Sequence, residues 1–129
     1  MKYLAIDYGT KRIGLALSYG NIAEPLRIIP HDAAVFTTLV DLIAREGVDA
    51  IVLGISDREM AEKTRAFSHE LSHHIDLPIT FFDESFSSVA VHDKMIASHM
   101  KQSSRSQHID HFAAAHFLQE YLDTVVSDQ

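Results

Sequence analysis

Residues 3–18 read YLAIDYGTKRIGLALS, and this stretch decides the fold that the sequence predicts. A short apolar run ends at Asp7, a turn follows at Gly9, and residues 12–18 alternate large apolar side chains with Gly, Ala and Ser. A period of two is typical of a β-strand, and glycine is typical of a turn. The stretch therefore predicts two antiparallel strands joined by a tight turn.

The remaining sequence alternates strand and helix patterns. A third strand is predicted at Leu26–Ile29, between Pro25 and Pro30. The later elements are predicted in this order: a helix from the candidate N-cap Asp32 to Gly47, a strand at Ala50–Leu53, a helix with capping-box spacing at Ser56–Glu59, a strand at Pro78–Phe82, a third helix from about Ser87 to Met100, a polar loop at Lys101–Gln107 and a final helix. This order predicts an α/β fold, a mixed five-stranded sheet in which three antiparallel strands precede α/β crossovers, with helices on both faces.

Composition narrows the class of protein. The chain has 129 residues, of which 47% are hydrophobic and 22% are charged, so we expect a single globular domain spanning 1–129. It contains no cysteine, which excludes disulfides, thiolate metal sites and cysteine nucleophiles and fits a cytoplasmic location. No apolar run approaches the roughly 18 residues of a membrane helix, so no membrane partner is expected.

Acidic residues stand at the ends of predicted elements. Asp7 closes the first strand, Asp83 and Glu84 follow the fifth, and Asp110 is predicted in the first turn of the final helix. If the first, fourth and fifth strands are parallel, their carboxyl ends share one edge of the sheet, where ligands of α/β proteins bind. Alanines three and four positions after Asp110 would let that helix approach the sheet closely.

A carboxylate cluster repels itself unless a cation joins it, and hard divalent cations such as Mg²⁺ or Mn²⁺ prefer oxygen ligands. Such ions can activate water and stabilise the leaving oxygen of a phosphodiester. The same acids could equally serve as solvated turn residues and helix caps. The residues alone therefore leave both interpretations open.

Basic residues offer candidate phosphate contacts. Lys11 and Arg12 follow the first turn, and Lys101 and Arg105 lie in the predicted polar loop. Each could bind a backbone phosphate, or simply be solvated surface charge. The net charge of −7, from 11 basic and 18 acidic residues, weighs mildly against a protein that binds nucleic acid by electrostatics alone.

Four segments in order resemble the bacterial YqgF family, also called RuvX. They are Asp7–Ala16, Ile51–Ile55, Asp83–Ser88 and Ile109–Leu122. Members of this family have a ribonuclease-H-like fold and are described as Holliday junction resolvases or as nucleases that process precursor 16S ribosomal RNA. The resemblance covers essentially the whole chain.

The resemblance implies a metal-dependent endonuclease acting in ribosome biogenesis. It implies that Asp7, Glu84 and Asp110 are the catalytic, metal-binding carboxylates, with Mg²⁺ or Mn²⁺ as cofactor, and that Asp83 orients them. The implied substrate is structured RNA, most directly the 5′ end of precursor 16S rRNA. Branched DNA is the alternative substrate, and the sequence does not indicate the oligomeric state.

The sequence also departs from the family pattern. Ser85 stands where the family usually has arginine, Ser56 stands where proline is usual, and the segment after Gly54 is short. These changes concern substrate grip and specificity more than the metal site. Ser85 and the net charge of −7 favour a second hypothesis, a non-catalytic module that binds nucleic acid. Sugar kinases and actin-like ATPases share an Asp-x-Gly-Thr turn, but they need two such domains around the nucleotide.

Histidines provide further candidates. His108 and His111 flank the helix aspartate, where they could transfer protons or simply belong to a polar helix start. His69 and His73 have the i, i+4 spacing of a zinc pair, without the glutamate of the metalloprotease motif. His116 is predicted to lie on the apolar stripe of the final helix as a hydrogen-bonded core residue, together with Ile109, Phe112, Ala113, Phe117 and Tyr121.

Overall fold

The structure is a computed structural model that describes residues 1–55, 58–83 and 102–127. Within these ranges the side chains of residues 58, 102–110, 126 and 127 are not described. The elements in chain order are β1 (Tyr3–Asp7), β2 (Arg12–Tyr19), β3 (Ile22–Pro30), α1 (Val35–Glu46), β4 (Ala50–Ile55), α2 (Arg58–Ser72), β5 (Ile79–Asp83) and α3 (Gln102–Ser127).

The five strands form one mixed sheet in the order β3-β2-β1-β4-β5. Strands β1, β2 and β3 pair antiparallel, whereas β4 pairs parallel with both β1 and β5. The predicted mixed sheet, with three antiparallel strands followed by crossovers, is therefore confirmed. The register aligns Asp7 of β1 with Gly54 of β4, and Gly54 with Phe82 of β5, so the carboxyl ends of the three parallel strands share one edge.

Strand β3 is longer than the sequence predicts and includes both of its prolines. The prediction that Pro25 bounds the strand is wrong because β3 is the edge strand, where a missing N–H need not interrupt a ladder. Pro25 pairs with Ala16, whereas Arg27 pairs with Leu15, so one extra residue in β3 makes a bulge.

The first two helices follow the predicted pattern with one correction. Asp32 is not the N-cap of α1, because its carboxylate accepts a hydrogen bond from the Ala34 N–H (3.0 Å) in a turn that precedes the helix, and Ala34 takes the cap position. Gly47 ends α1 in the left-handed conformation (φ 66°), as predicted. Helix α2 begins at Arg58, and the first half of its predicted capping box lies outside the described residues.

Helix α3 begins at Gln102, so the predicted polar loop at 101–107 is wrong for residues 102–107. That segment contains no glycine or proline, and serine, glutamine and arginine are all tolerated in a helix. The predicted third helix, from about residue 87 to 100, lies outside the described residues. Among the described helices none combines the length and apolarity needed to cross a membrane.

Helices cover both faces of the sheet, as predicted. One face carries the larger core, to which α1 and α2 contribute Val35, Leu39, Leu42, Phe67 and Leu71 beside the strand residues Leu4, Ile6, Ile13, Leu15, Leu17, Ile51 and Leu53. The opposite face carries a smaller core, in which α3 packs on small strand residues: Ala5, Ala16, Val52, Ala114, Phe117, Leu118 and Leu122. We call these the α1/α2 face and the α3 face.

The buried stripe of α3 differs from the predicted one. Ala114, Phe117 and Leu118 are buried, whereas His116 is exposed and Phe112 is 46% exposed. The prediction that His116 is a core residue is therefore wrong. The helix is rotated by about a third of a turn relative to the predicted stripe, because the sheet offers Ala5 and Ala16 at its centre and Ala114 fits against them.

We predict that Ala114→Leu destabilises the fold by about 1–3 kcal/mol, because the larger side chain must be forced between α3 and the sheet. Ala44→Leu is the matched control, since Ala44 is an exposed position of α1 and leucine is nearly as good a helix former as alanine. It should change the free energy of unfolding by less than about 0.5 kcal/mol. Equal effects of the two substitutions in urea unfolding would contradict close packing at Ala114.

Candidate active site

Asp7 is the described carboxylate that lies at the shared edge on the α3 face. Tyr3 and Ala5 of β1 belong to the α3 face, and residues two apart in a strand point to the same side, so Asp7 belongs to it as well. Its direct neighbours in the register are Gly14 of β2 and Gly54 of β4. Because both neighbours are glycines, no side chain of β2 or β4 stands directly beside Asp7 in the register.

Two of the predicted acidic residues, Asp7 and Asp83, lie on opposite faces of the sheet. Phe82 faces α3, where its ring stacks on Phe117 with centroids 6.0 Å apart. Asp83 follows Phe82 and therefore belongs to the α1/α2 face, away from Asp7. Glu84 lies outside the described residues, so its predicted place in the site stays a prediction.

Asp110 lies within α3, eight residues after the helix begins, so the prediction that it occupies the first helical turn is wrong. It precedes Ala114 by four positions, and helical residues four apart share a face. The backbone of α3 at Asp110 therefore continues the stripe that packs on the sheet. The side chain of Asp110 is not described.

The direction of α3 relates Asp110 to the edge that carries Asp7. The rings of Tyr121 and Tyr3 meet edge to face with centroids 5.3 Å apart, which ties the C-terminal half of the helix to the start of β1. Burial raises the pKa of the Tyr3 phenol, and the neighbouring Tyr121 adds to the rise. From Tyr121 back to Asp110 a helix covers about 16 Å, and from Tyr3 to Asp7 a strand covers about 13 Å. Because these two lengths are similar, a helix that starts from the Tyr3–Tyr121 contact and follows β1 reaches the carboxyl edge of β1 near Asp110.

The turn between β1 and β2 is tightly folded. A Cβ atom at Gly9 would clash with the carbonyl oxygen of Arg12, so this position requires glycine. Lys11 is exposed and Arg12 is half-buried, next to the edge that carries Asp7. Of the other two predicted phosphate contacts, Lys101 lies outside the described residues, and Arg105 lies in α3 with its side chain not described.

His31 makes two hydrogen bonds to this turn, a role that the sequence analysis did not predict. Its Nδ1–H donates to the carbonyl of Gly9 (2.9 Å), and its backbone N–H donates to the carbonyl of Lys11 (3.0 Å). Its ring meets those of Tyr8 and Phe67, with centroids 5.3 and 5.8 Å away. The one sequence feature that could have indicated this contact is that His31 directly follows Pro30 at the predicted end of β3. In the structure Pro30 pairs with Arg12, at the end of the turn.

The other candidate histidines do not form a metal site in the described part of the chain. The rings of His69 and His73 lie 4.8 Å apart, but no group of three His, Asp or Glu side chains suited to a metal exists among the described residues. His111 stacks on Phe112, and its Nδ1 is buried with no hydrogen-bond partner among the described atoms. His108 precedes it in α3, and its side chain is not described.

Solved structures with the same architecture identify the fold. RuvC of Thermus thermophilus bound to a Holliday junction superposes with a TM-score of 0.61 at 16% identity, covering 98% of this chain and 96% of that chain. The fowlpox virus resolvase bound to Holliday junction DNA superposes with a TM-score of 0.58 at 16% identity, covering 98% and 99%. The fold is therefore that of the ribonuclease-H-like resolvases, as predicted.

The family follows from sequence comparison. The profile of the family described as "RuvX: Holliday junction resolvase" matches residues 1–124. Proteins named "Putative pre-16S rRNA nuclease" match over most of their length: one from Moorella thermoacetica is 37% identical, covering 95% of both chains, and one from Cereibacter sphaeroides is 38% identical, covering 93% of this chain and 81% of that protein. The chain belongs to the RuvX family, and the predicted nuclease class is confirmed.

Proposed function

We propose that this chain is a metal-dependent endonuclease that hydrolyses phosphodiester bonds in precursor 16S rRNA. The observation that carries the proposal is the placement of Asp7 at the carboxyl edge of the parallel strands, between Gly14 and Gly54, on the face that α3 covers. A carboxylate at the carboxyl edge of parallel strands, with glycine on both neighbouring strands, suits an ion and the phosphate that it binds.

Asp7, Glu84 and Asp110 are the residues that would hold Mg²⁺ or Mn²⁺. Glu84 directly follows the last residue of β5, and its role as a ligand rests on the family resemblance. The helical period assigns Asp110 to the same stripe as Ala114. The donor set is all carboxylate oxygen, which fits a hard divalent cation and not a soft metal.

The protein residues supply charge and position in this mechanism. A divalent cation held at the site supplies a polarised water and stabilises charge on the leaving oxygen. Lys11 and Arg12 follow Asp7 by four and five residues and bind the phosphates that flank the scissile bond. Lys101 and Arg105 extend this contact from the region of the α3 N-terminus. Asp83, on the opposite face, orients the end of β5 without contacting the substrate.

The substrate is structured RNA in this proposal. The similar proteins are named for pre-16S rRNA, and the family description names the Holliday junction, so branched DNA is the competing substrate. In this proposal the protein acts in the cytoplasm, as a single domain over residues 1–129. Ser85 in place of arginine leaves one fewer phosphate contact than the family pattern, which makes the remaining cations more important.

We predict that Asp7→Asn abolishes cleavage of a precursor 16S rRNA fragment in Mg²⁺ or Mn²⁺ and leaves the fold intact. The amide keeps the shape of the carboxylate and loses the charge that holds the cation. Asp41→Asn is the matched control, because Asp41 is an exposed α1 residue paired with Arg45 (3.0 Å). It should cleave as the wild type does. Cleavage by folded Asp7→Asn at the wild-type rate would exclude Asp7 as a ligand.

The same assay compares substrates. The wild-type protein should cut the precursor RNA fragment at lower enzyme concentration than a four-way DNA junction. The reverse order would assign it to branched DNA. Binding of RNA without any cleavage in either metal would instead support the non-catalytic module.

Salt dependence tests the phosphate contacts. We predict a log–log salt slope of about −2 to −4 for RNA binding in Mg²⁺, since each neutralised phosphate contributes roughly one unit. Replacing Lys11 and Arg12 together by alanine should flatten this slope by about one to two units. Lys63 and Arg65, both exposed on α2, provide the control, because their double alanine variant has the same net charge and should keep the wild-type slope. Tight binding in EDTA with no salt dependence would mean that nucleic acid does not dock at this edge.

A further inference from the structure

His31 makes two hydrogen bonds to the turn that connects Asp7 to the basic residues. Its Nδ1–H donates to the Gly9 carbonyl and its backbone N–H donates to the Lys11 carbonyl, at 2.9 and 3.0 Å. The second bond belongs to the backbone and extends the pairing of β2 with β3. The first depends on the imidazole, so a substitution can remove it without changing the strand pairing.

The imidazole fixes the orientation of one peptide group. In a trans peptide the C=O and the following N–H point in opposite directions, and the described chain has no cis peptide. Because the Gly9 carbonyl points to His31, the Thr10 N–H points away from it. His31 contacts Tyr8 and Phe67, which pack in the core of the α1/α2 face. The Thr10 amide is therefore turned away from His31 and from the aromatic rings that His31 contacts.

A cluster of aromatic rings packs around the imidazole. The Phe67 ring lies between those of Tyr8 and Phe36, at centroid distances of 5.1 and 5.2 Å, and His74 stacks on Phe36 at 4.9 Å. Apolar packing alone would be served by phenylalanine at position 31. The histidine adds a hydrogen-bond donor aimed at the turn.

We infer that His31 is a positioning residue that orients the Gly9–Lys11 turn so that the Thr10 amide and the Lys11 side chain meet a substrate phosphate beside Asp7. This rests on the proposed function of the edge. A donor held in advance lowers the ordering cost of binding a phosphate. His31 therefore contributes to substrate binding, whereas the carboxylates bind the cation.

Three variants separate the hydrogen bond from the packing. His31→Phe keeps an aromatic ring and removes the donor, and His31→Asn removes the ring and keeps a donor near the position of Nδ1. His74→Phe is the matched control, because it makes the same substitution in the same cluster at a residue whose described side-chain contacts are with Phe36 and Glu70.

We expect loss of the His31 hydrogen bond to raise KM more than it lowers kcat. Loss of one hydrogen bond corresponds to about a three- to tenfold change, so His31→Phe should raise KM for the RNA fragment by that factor while kcat changes less. His31→Asn should recover most of the wild-type KM despite the lost ring, and His74→Phe should keep it. Equal losses in His31→Phe and His31→Asn, or no loss in His31→Phe, would overturn the inference.

A second readout does not require cleavage. Backbone order parameters from ¹⁵N relaxation at residues 9–11 should be lower in His31→Phe than in the wild type, and His31→Asn should restore them. If the wild-type protein cuts neither substrate, the proposed function fails, while the order parameters still decide whether His31 holds the turn. Unchanged order parameters in His31→Phe would show that it does not.

Discussion

The close approach of α3 to the centre of the sheet is the constraint on which the candidate site depends. Ala114 packs against Ala5 and Ala16, which stand opposite each other in β1 and β2. Small side chains on both elements let the helix lie close, and the contact between Tyr3 and Tyr121 sets its direction. Asp7 lies two residues beyond Ala5, and Asp110 lies one helical turn before Ala114. In the proposed site, the packing that stabilises the fold also directs the backbone of α3 at Asp110 toward the edge that carries Asp7.

Charge explains why such an edge needs a cation. The chain carries a net charge of −7, and the proposed site concentrates three of its carboxylates at the place where a polyanionic substrate must dock. Without a cation these groups repel one another and the phosphate, and with one the same groups become the attachment point. The turn at residues 8–11 complements this arrangement, since it contains Lys11 and leads directly into Arg12, four and five residues after Asp7. His31 and the aromatic cluster below it stabilise the turn from the α1/α2 face.

The sequence predicted the features that follow from local patterns. The alternation in β2, the apolar run of β4 and the glycine that ends α1 all appear in the structure, and together they determine the mixed sheet. The rotation of α3 was not predictable, because its sequence has apolar residues on more than one face and the shape of the sheet selects among them. The start of α3 was missed because polar residues that are common in loops also fit a helix.

The candidate site was predictable only in part. A strand that ends in an acid indicated Asp7, but its glycine neighbours come from β2 and β4, and only the register brings them together. His31 was missed because its contact with Gly9 spans 22 positions of sequence, and no periodic pattern records such a contact. Glu84 and Asp110 as ligands remain predictions of the family resemblance and, for Asp110, of the helix period.

Paramagnetic broadening by Mn²⁺ tests most directly whether one ion binds where β1, β5 and α3 meet. A two-dimensional amide spectrum would be recorded as Mn²⁺ is added in small substoichiometric steps. The account predicts that the amide signals of Asp7, Gly54 and Asp110 broaden first, while those of Tyr3 and Tyr121, at the opposite end of β1, persist. Broadening that begins instead around His69 and His73, or that leaves Asp7 and Asp110 unaffected, would contradict a shared metal site at this edge.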